Sequence, residues 1–275
     1  MSKVQRSAAI GVFDSGIGGL SVVREIIREL PCENIVYYGD TARLPYGSKT
    51  PTTIREFALQ NAVFLNSRHV KAIVIACSTA SSIATEYLRN FMKLPVIGVI
   101  EGGARGAVAA THNKRVGVIG TKTTIRSHAF ADAIAKLDPG IEVLEAATPL
   151  LVHLVEENWI EKDVTCEILC EYLDPLLKAG IDTLVLGCTH YPYLVERLRE
   201  IAPNTTLVNA AVETAGDVRR ALEKRDLLRV EEPVPRLDIY LSDLHPDAEY
   251  LAELFLGRKV AIKLPETCPE GPERL

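Results

Sequence analysis

The most constraining feature of this sequence is a regular alternation between short β-branched runs and longer segments with helical periodicity. The short runs are almost continuously apolar, which is typical of strands buried on both faces. Such strands alternating with helices predict βαβ units and parallel sheets covered by helices. The predicted strands are Ala8–Phe13, Asn34–Gly39, Ala72–Ala76, Pro95–Val99, Arg115–Ile119, Ile141–Leu144, Thr183–Gly187, Thr205–Val208 and Leu237–Leu241. The clearest predicted helices are Leu20–Leu30, Thr53–Asn66, Val164–Lys178 and Tyr193–Ile201.

Composition narrows the class of protein. The chain has 275 residues, 47% of them hydrophobic, which is enough for one large domain or two smaller ones. Its formal net charge is −5 without acidic or basic blocks, which argues against a nucleic-acid or membrane-surface partner. No uncharged apolar run approaches the roughly 18 residues of a membrane span.

The amino terminus predicts a cytoplasmic protein, and in that reducing compartment the cysteines should be thiols. The first apolar run ends at Asp14 and is too short for a signal peptide. We expect all cysteines to be free thiols, because a chain of this length needs no disulfides. The cysteines are Cys32, Cys77, Cys166, Cys170, Cys188 and Cys268.

A weak internal repeat suggests two related halves. "AIGVFDSG" resembles "RVGVIGTK", and aligning Gly11 with Gly117 gives an offset of 106 (117 minus 11). Two cysteines that end apolar runs, Cys77 and Cys188, are offset by 111 (188 minus 77). Similar offsets predict two α/β halves, each with a cysteine in the same relative position. Chance similarity is the alternative, since valine, isoleucine and glycine are common in such strands.

The two cysteine motifs lie where ligands bind in open α/β sheets, at the carboxyl ends of strands. "VIACSTASS" contains Cys77, and "LVLGCTHYP" contains Cys188. A helix beginning there would stabilise a thiolate through its dipole. The hydroxyls of Ser78, Thr79 and Thr189 could cap those helices or donate to a carboxylate. The alternative is that each cysteine is a small buried hydrophobe.

Polar residues follow two other predicted strands. In "FDSGIGGLSVVREI", Asp14 and Ser15 lie at a strand end, and the glycines would let the backbone approach a ligand. The glycine spacing is not that of the dinucleotide-binding fingerprint. "GDTARLPYGSKT" is long for a simple connection and predicts a functional loop. The alternative for the first segment is a turn followed by the start of a helix. The alternative for the second segment is an ordinary surface turn.

The remaining histidines and cysteines do not predict a metal site. Cys166 and Cys170 are four residues apart on one predicted helix, but no further pair supplies ligands at zinc spacing. We therefore expect packing or simple exposure for both. Among the histidines, only His190 adjoins another candidate, in the sequence Cys-Thr-His.

Four motifs, "FDSGIGGLSV", "YYGDTARLPYGSK", "ACSTAS" and "LVLGCTHYPYL", together resemble those of glutamate racemases, in the same order from Ile10 to about Val208. The resemblance implies two pseudo-symmetric α/β domains with mainly parallel sheets and an active site in the cleft between them. The expected division is 1–98 with 209–265, then 99–208, and a tail at 266–275. It also implies interconversion of L- and D-glutamate without a cofactor, which supplies D-glutamate for peptidoglycan.

The resemblance also assigns site residues by position. Cys77 and Cys188 match the two catalytic cysteines, with Cys77 acting on the D-enantiomer and Cys188 on the L-enantiomer. Groups thought to assist the thiols match Asp14, His190 and Glu156. The residues that match substrate contacts are Asp14, Ser15, Tyr46, Gly47, Thr79, Thr189 and His190, and Ser78 stands at a further substrate-binding position. The stretch around Glu156 agrees less well, with His153 where proline is usual and Asn158 where glycine is usual.

Ser78 departs from the family pattern, which normally has asparagine there. Serine is shorter and offers one hydroxyl in place of a carbonyl and an amide. We expect a change in affinity or rate, and not in the type of reaction.

Three other functions compete with this interpretation. A racemase of the same superfamily could act on aspartate, although the "PYGSK" loop and the Thr189–His190 pair favour glutamate. A thiol redox protein would use Cys77 and Cys188 but gives no role to Asp14 or Tyr46. An amino-acid-binding protein without catalysis is the third. The sequence leaves monomer and homodimer both open.

Overall fold

The computed structural model describes residues 6–230 and 234–266. Within them the strands are β1 (Ile10–Asp14), β2 (Ile35–Gly39), β3 (Ala72–Ile75), β4 (Val96–Gly98), β5 (Arg115–Gly120), β6 (Glu142–Ala147), β7 (Thr183–Gly187), β8 (Thr206–Asn209), β9 (Leu237–Leu241) and β10 (Ile262–Lys263). Most of the tail predicted at 266–275, and Cys268 with it, lies outside the described residues.

The helices alternate with the strands as the sequence predicts. They are α1 (Leu20–Glu29), α2 (Pro51–Ser67), α3 (Ser78–Phe91), α4 (Val99–Ala110), α5 (Lys122–Arg126), α6 (Ala129–Leu137), α7 (Leu150–Glu156), α8 (Asp163–Lys178), α9 (Val195–Ile201), α10 (Ala210–Glu223) and α11 (Ala248–Leu256). Short 3-10 helices span Thr41–Arg43, Tyr46–Ser48 and Tyr191–Leu194. In the described ranges, no helix has the length and apolar character needed to cross a membrane.

All nine predicted strands are confirmed, and the fold is α/β with two parallel sheets. The first sheet has the order β10-β9-β2-β1-β3-β4 and the second the order β6-β5-β7-β8. Two features of the strands were missed. The prediction ended β6 three residues early, because this edge strand is only half-buried and carries Glu145 in its interior. β10 has only two residues and leaves no periodic signal.

The two sheets repeat one topology, which confirms the pseudo-symmetry. In the first sheet β1 lies between β2 and β3, with β4 beyond β3. In the second, β5 lies between β6 and β7, with β8 beyond β7. β3 and β7 are therefore equivalent strands, and Cys77 and Cys188 follow them. The duplication puts both thiols at the same place in their respective halves.

The division of the chain into domains remains a prediction. Strands of the first sheet fall within 1–98 and 209–265, and strands of the second within 99–208, apart from Asn209 at the end of β8. Helix α4 leads from the first sheet to the second, and α10 leads back. These two helices pack against each other, and α10 also packs on α1.

Strand β1 is apolar throughout because its alternate residues pack into two different cores. Val12 belongs to a core with Leu20 and Val23 of α1. Phe13 belongs to a second core with Ile54 and Ala58 of α2. Helices thus cover both faces of the sheet, and each face needs its own apolar residues.

A buried ion pair joins four segments of the chain at the amino ends of the strands. Lys71 donates to Glu33, and the two side chains are 2% and 1% exposed. The Lys71 ammonium also donates to the carbonyls of Arg6 at 2.7 Å and Leu227 at 2.9 Å. The other Glu33 oxygen accepts from the N–H of Arg229 at 2.9 Å. The pair is therefore fully hydrogen-bonded, as a buried charge requires.

We predict that Lys71→Met lowers the free energy of unfolding by about 3–5 kcal/mol, because Glu33 would keep a buried charge without its partner. Urea denaturation followed by circular dichroism measures the change. The matched control is Lys263→Met, since Lys263 pairs with Asp238 but is 51% exposed. That change should cost less than about 1 kcal/mol. Equal losses in the two variants would contradict the role given to burial.

Candidate active site

A cavity of about 480 Å³ lies at the carboxyl ends of the strands and is lined by residues of both halves. Among its lining residues are nearly all of the predicted site residues: Ser15, Tyr46, Gly47, Cys77, Ser78, Thr79, Glu156, Cys188, Thr189 and His190. Asp14 lies beneath the cavity surface and is buried. The structure thus brings together residues that are up to 176 positions apart in the chain (190 minus 14).

The turn after β1 explains the predicted glycines. Asp14 Oδ2 accepts hydrogen bonds from the backbone N–H groups of Gly16 at 3.3 Å and Gly19 at 3.0 Å. A Cβ on Gly18 would lie 2.4 Å from His190 Cε1, and one on Gly19 would lie 2.5 Å from Asp14 Cβ. No side chain fits at either position. The glycines therefore allow the turn to approach His190 and wrap around the carboxylate.

Asp14 is a buried carboxyl with an unused acceptor. Its Oδ1 is buried and has no hydrogen-bond partner among the described residues. Burial raises the pKa of Asp14, and the charge of His190 with the N–H donors of Gly19 and Gly16 offsets this only in part. Asp14 is therefore easier to protonate than an exposed aspartate, which suits a group that exchanges protons.

Cys77 caps the amino terminus of α3. Its sulfur accepts from the N–H of Ala80 at 3.4 Å and lies 3.5 Å from Ser15 Oγ. Burial raises the pKa of the Cys77 thiol to about 12, and the charge of Asp14 contributes to this rise. The hydrogen bond between the thiol and the Ser15 hydroxyl and the one from the Ala80 N–H act in the opposite direction but are weaker. Burial therefore favours the protonated form of the Cys77 thiol.

Cys188 has a different partner, a charged histidine. His190 Nδ1 lies 3.8 Å from Cys188 Sγ and 3.3 Å from Thr189 Oγ1. On the other side of the ring, Nε2 lies 3.0 Å from Glu156 Oε1. Burial alone would lower the pKa of His190, but the hydrogen bonds to Cys188 and Glu156 and their charges raise it to about 10. The imidazole is therefore protonated at neutral pH.

Glu156 is brought into contact with the predicted site although its sequence agreed least with the family pattern. Burial alone would raise the pKa of Glu156, but the hydrogen bond and charge of His190 lower it. The carboxylate and the imidazolium thus stabilise each other. His153, which stands where proline is usual, is exposed at the same cavity.

Tyr46 lines the cavity, but its hydroxyl is hydrogen-bonded inside the protein, which the sequence did not predict. Its side chain is 1% exposed, and its hydroxyl donates to Asp40 and accepts from Asn61 Nδ2 at 3.1 Å. Arg43 holds the same Asp40 carboxylate through Nε at 2.9 and 2.8 Å. The Tyr46 side chain therefore holds the loop in place. The backbone of Tyr46 is the part of this residue that can contact a ligand.

Three threonine hydroxyls join the halves beside the cavity. Thr79 Oγ1, from α3, lies 2.9 Å from Thr121 Oγ1 and 3.3 Å from Thr124 Oγ1. Thr123 Oγ1 also donates to the carbonyl of Gly47 at 2.8 Å. Ser78, one residue before Thr79, is buried and lines the cavity.

Several lining residues of the second half were not predicted, notably Thr121, Lys122 and Arg126. The sequence held a signal for them. In the alignment of Gly11 with Gly117, Thr121 falls opposite Ser15, at the carboxyl end of the equivalent strand β5. Applying the strand-end rule to both halves would have found this segment.

The other cysteine pair, Cys166 and Cys170, is not among the residues that line the cavity. Cys166 is half-buried and Cys170 is exposed, and both are free thiols. Within residues 6–230 and 234–266, no group of three or more histidine, cysteine, aspartate or glutamate side chains could hold a metal ion.

Comparison with known proteins identifies the family. The family profile described as Asp/Glu/Hydantoin racemase matches residues 10–215, which include both cysteine strands. The chain belongs to this racemase family. A glutamate racemase from Neisseria meningitidis is 47% identical over 259 residues, covering 94% of this chain and 96% of that protein.

Solved structures of racemases have the same fold over nearly the whole chain. The glutamate racemase from Francisella tularensis, solved in complex with D-glutamate, superposes with a TM-score of 0.89 at 37% identity, covering 94% of this chain and 97% of that one. A glutamate racemase isoform from Bacillus anthracis gives a TM-score of 0.92 at 35% identity, covering 96% and 100%.

We predict that Glu156→Gln lowers the pKa of His190, because glutamine supplies no negative charge to stabilise the imidazolium. In the wild type, the folded-state pKa of about 10 lies above the unfolded value. The His190 charge therefore stabilises the fold fully below about pH 6.5, and this contribution is lost as the pH rises through 10. Titration of the His190 ring by ¹⁵N NMR measures the shift. The exposed neighbour provides the control: Glu157→Gln should leave the His190 titration unchanged.

Proposed function

We propose that this chain is a cofactor-independent glutamate racemase in which Cys77 and Cys188 act as two bases on opposite faces of the substrate. The observation that carries the proposal is that equivalent strands of two repeated sheets present one thiol each to a single cavity. Family membership supports racemisation, and the names of the similar proteins support glutamate as the substrate.

Racemisation explains why two thiols are needed. The reaction removes the α-hydrogen from one face of the substrate and returns a proton to the opposite face of the planar carbanion. A base on each face does this without turning the substrate over. No electrons are gained or lost, so two groups that each exchange one proton are sufficient.

The protonation states favour one direction of transfer for each enantiomer. With L-glutamate, Cys188 takes the α-proton, so that the C–H bond breaks, its electron pair stays on carbon and an S–H bond forms. Cys77, protonated because burial raises its pKa to about 12, then gives its proton to the opposite face. The His190 imidazolium lies beside the abstracting sulfur, with Nδ1 3.8 Å from Cys188 Sγ. D-Glutamate reacts through the same steps in reverse.

Most of the barrier must be lowered by means other than base strength, since the α-proton of an amino acid is far less acidic than a thiol. Hydrogen bonds to the α-carboxylate stabilise the negative charge that builds there. The free N–H groups in the first turn of α3, at Ser78 and Thr79, and the Thr189 backbone are the proposed donors. Positioning of the substrate in the cavity supplies the rest.

The proposal also covers the cellular location of the enzyme and the use of its product. We place it in the cytoplasm, where its product D-glutamate would supply peptidoglycan synthesis. Aspartate is the competing substrate within the family. Polarimetry with L-glutamate and with L-aspartate separates the two, because a glutamate racemase should abolish the optical rotation of glutamate only. A redox protein or a binding protein would change neither.

The two-base proposal predicts where deuterium enters during turnover in D₂O. Early in a reaction that starts from L-glutamate, newly formed D-glutamate should carry deuterium at the α-position, because Cys77 has equilibrated with solvent. The remaining L-glutamate should stay largely protiated, and D-glutamate as starting material should give the mirror result. Chiral chromatography with mass spectrometry measures both. Equal labelling of the two enantiomers from the start would refute the assignment of Cys77 and Cys188 to opposite faces.

Single cysteine variants test the same assignment. Cys77→Ser and Cys188→Ser should each reduce racemisation by roughly 10²–10⁴-fold, because a hydroxyl is a far poorer acid–base group than a thiol. Circular dichroism should show an intact fold. Cys170→Ser is the control, since Cys170 is exposed on α8. Full activity in Cys188→Ser would eliminate the two-thiol mechanism.

We predict that Ser78→Asn keeps kcat and lowers KM, because the longer amide can reach a substrate group that serine leaves to water. Ser78 lines the cavity, so the added atoms have space on that side. Steady-state kinetics in both directions measure the effect. The control Ser82→Asn is one turn further along α3 and lines a different cavity. A large fall in kcat would show instead that this pocket is built around serine.

A further inference from the structure

Three cationic side chains line the mouth of the candidate active site. Lys49 follows the 3-10 helix that carries Gly47, whereas Lys122 and Arg126 lie four residues apart on α5 and so share one face of that helix. Lys122 and Arg126 are exposed, and Lys49 is half-buried. None of the three forms a salt bridge or a side-chain hydrogen bond with any described residue. Their charges are available to a ligand.

The positive charges of these three side chains are not neutralised by acidic residues lining the cavity. Among the described lining residues, Glu156 is the only acidic one, and it bonds to the His190 imidazolium. The whole chain has a formal net charge of −5, so the remainder without these three cations carries −8 (−5 minus 3). A local positive mouth on an otherwise negative protein would give an anion a favourable route of approach.

We propose that Lys49, Lys122 and Arg126 form a cationic collar that captures the anionic amino acid before it reaches the thiols. The inference rests on the proposed function, because glutamate at neutral pH has two carboxylates, one ammonium and a net charge of −1. The collar acts on charge and lies outside the two thiols. It therefore serves both enantiomers alike, raising kcat/KM in both directions through KM while leaving kcat unchanged.

The collar predicts a particular dependence on salt. In the double variant Lys122→Gln with Arg126→Gln, kcat/KM should fall roughly fourfold at low ionic strength, about twofold for each charge acting through water. At about 0.5 M NaCl the screening length is only about 4 Å, and the wild type and the variant should converge. A loss of packing would instead lower kcat/KM by the same factor at every salt concentration.

The matched control removes the same charge at the opposite edge of the molecule. Lys224 and Arg225 are exposed just beyond the end of α10, which begins at the carboxyl end of β8 and spans 14 residues. They therefore lie about 20 Å along that helix from the level of the cavity. Lys224→Gln with Arg225→Gln should follow the wild-type salt curve.

A second readout is independent of racemisation. Iodoacetate, an anion, and iodoacetamide, its neutral analogue, both alkylate thiolates by displacing iodide. Peptide mass spectrometry gives the ratio of the two rates at Cys188, which is half-buried and lines the cavity, and at exposed Cys170 as internal reference. The collar variant should lower the anion-to-neutral ratio at Cys188 at low salt and leave it unchanged at Cys170.

The two readouts separate this inference from the function on which it rests. If the chain does not racemise glutamate but shows the expected alkylation ratios, the collar is supported and the proposed function is wrong. A chain that racemises glutamate with a salt-independent difference, or with no difference, between wild type and variant has no such collar. An unchanged alkylation ratio at Cys188 in the variant would also overturn the inference.

Discussion

The close approach between the β1–α1 turn and His190 determines how the two halves of the molecule meet. Gly18 lies against the imidazole of the other half with no room for a side chain. Beside it, Ser21 Oγ donates to the carbonyl of Thr189 at 3.0 Å. These contacts bring Asp14, from the first half, close enough for the charge of His190 to affect its pKa.

Duplication of the fold makes the thiols equivalent in position, but their neighbours make them chemically different. Cys77 is buried next to an acidic residue, Asp14, and its pKa is raised to about 12. Cys188 is less buried and lies near a cationic imidazole. An arrangement with one thiol protonated and a cation beside the other is what a transfer between two faces requires. The repeated fold places the two thiols in equivalent positions, and the charged neighbours Asp14 and His190 give them different environments.

Strand ends in the sequence predicted much of this arrangement, because buried parallel strands leave a strong apolar pattern and ligands collect at their carboxyl ends. Cys77 and Cys188 were found in that way. The role of the Tyr46 side chain was not, since its bond to Asp40 depends on how a loop folds back on α2. Thr121 was missed, although the aligned repeat places it opposite Ser15. The link between Glu156 and His190 spans 34 residues and left no local pattern.

The threonine contacts across the cavity bear on how quickly the molecule can exchange its ligand. Thr79, Thr121 and Thr124 hold the halves together through neutral hydroxyls. Each such bond contributes only about 1 kcal/mol net, because water replaces it readily when it breaks. Separating these hydroxyls from one another at this point therefore costs little free energy. A reversible enzyme that must admit either enantiomer and release the other gains from a contact that is weak and uncharged.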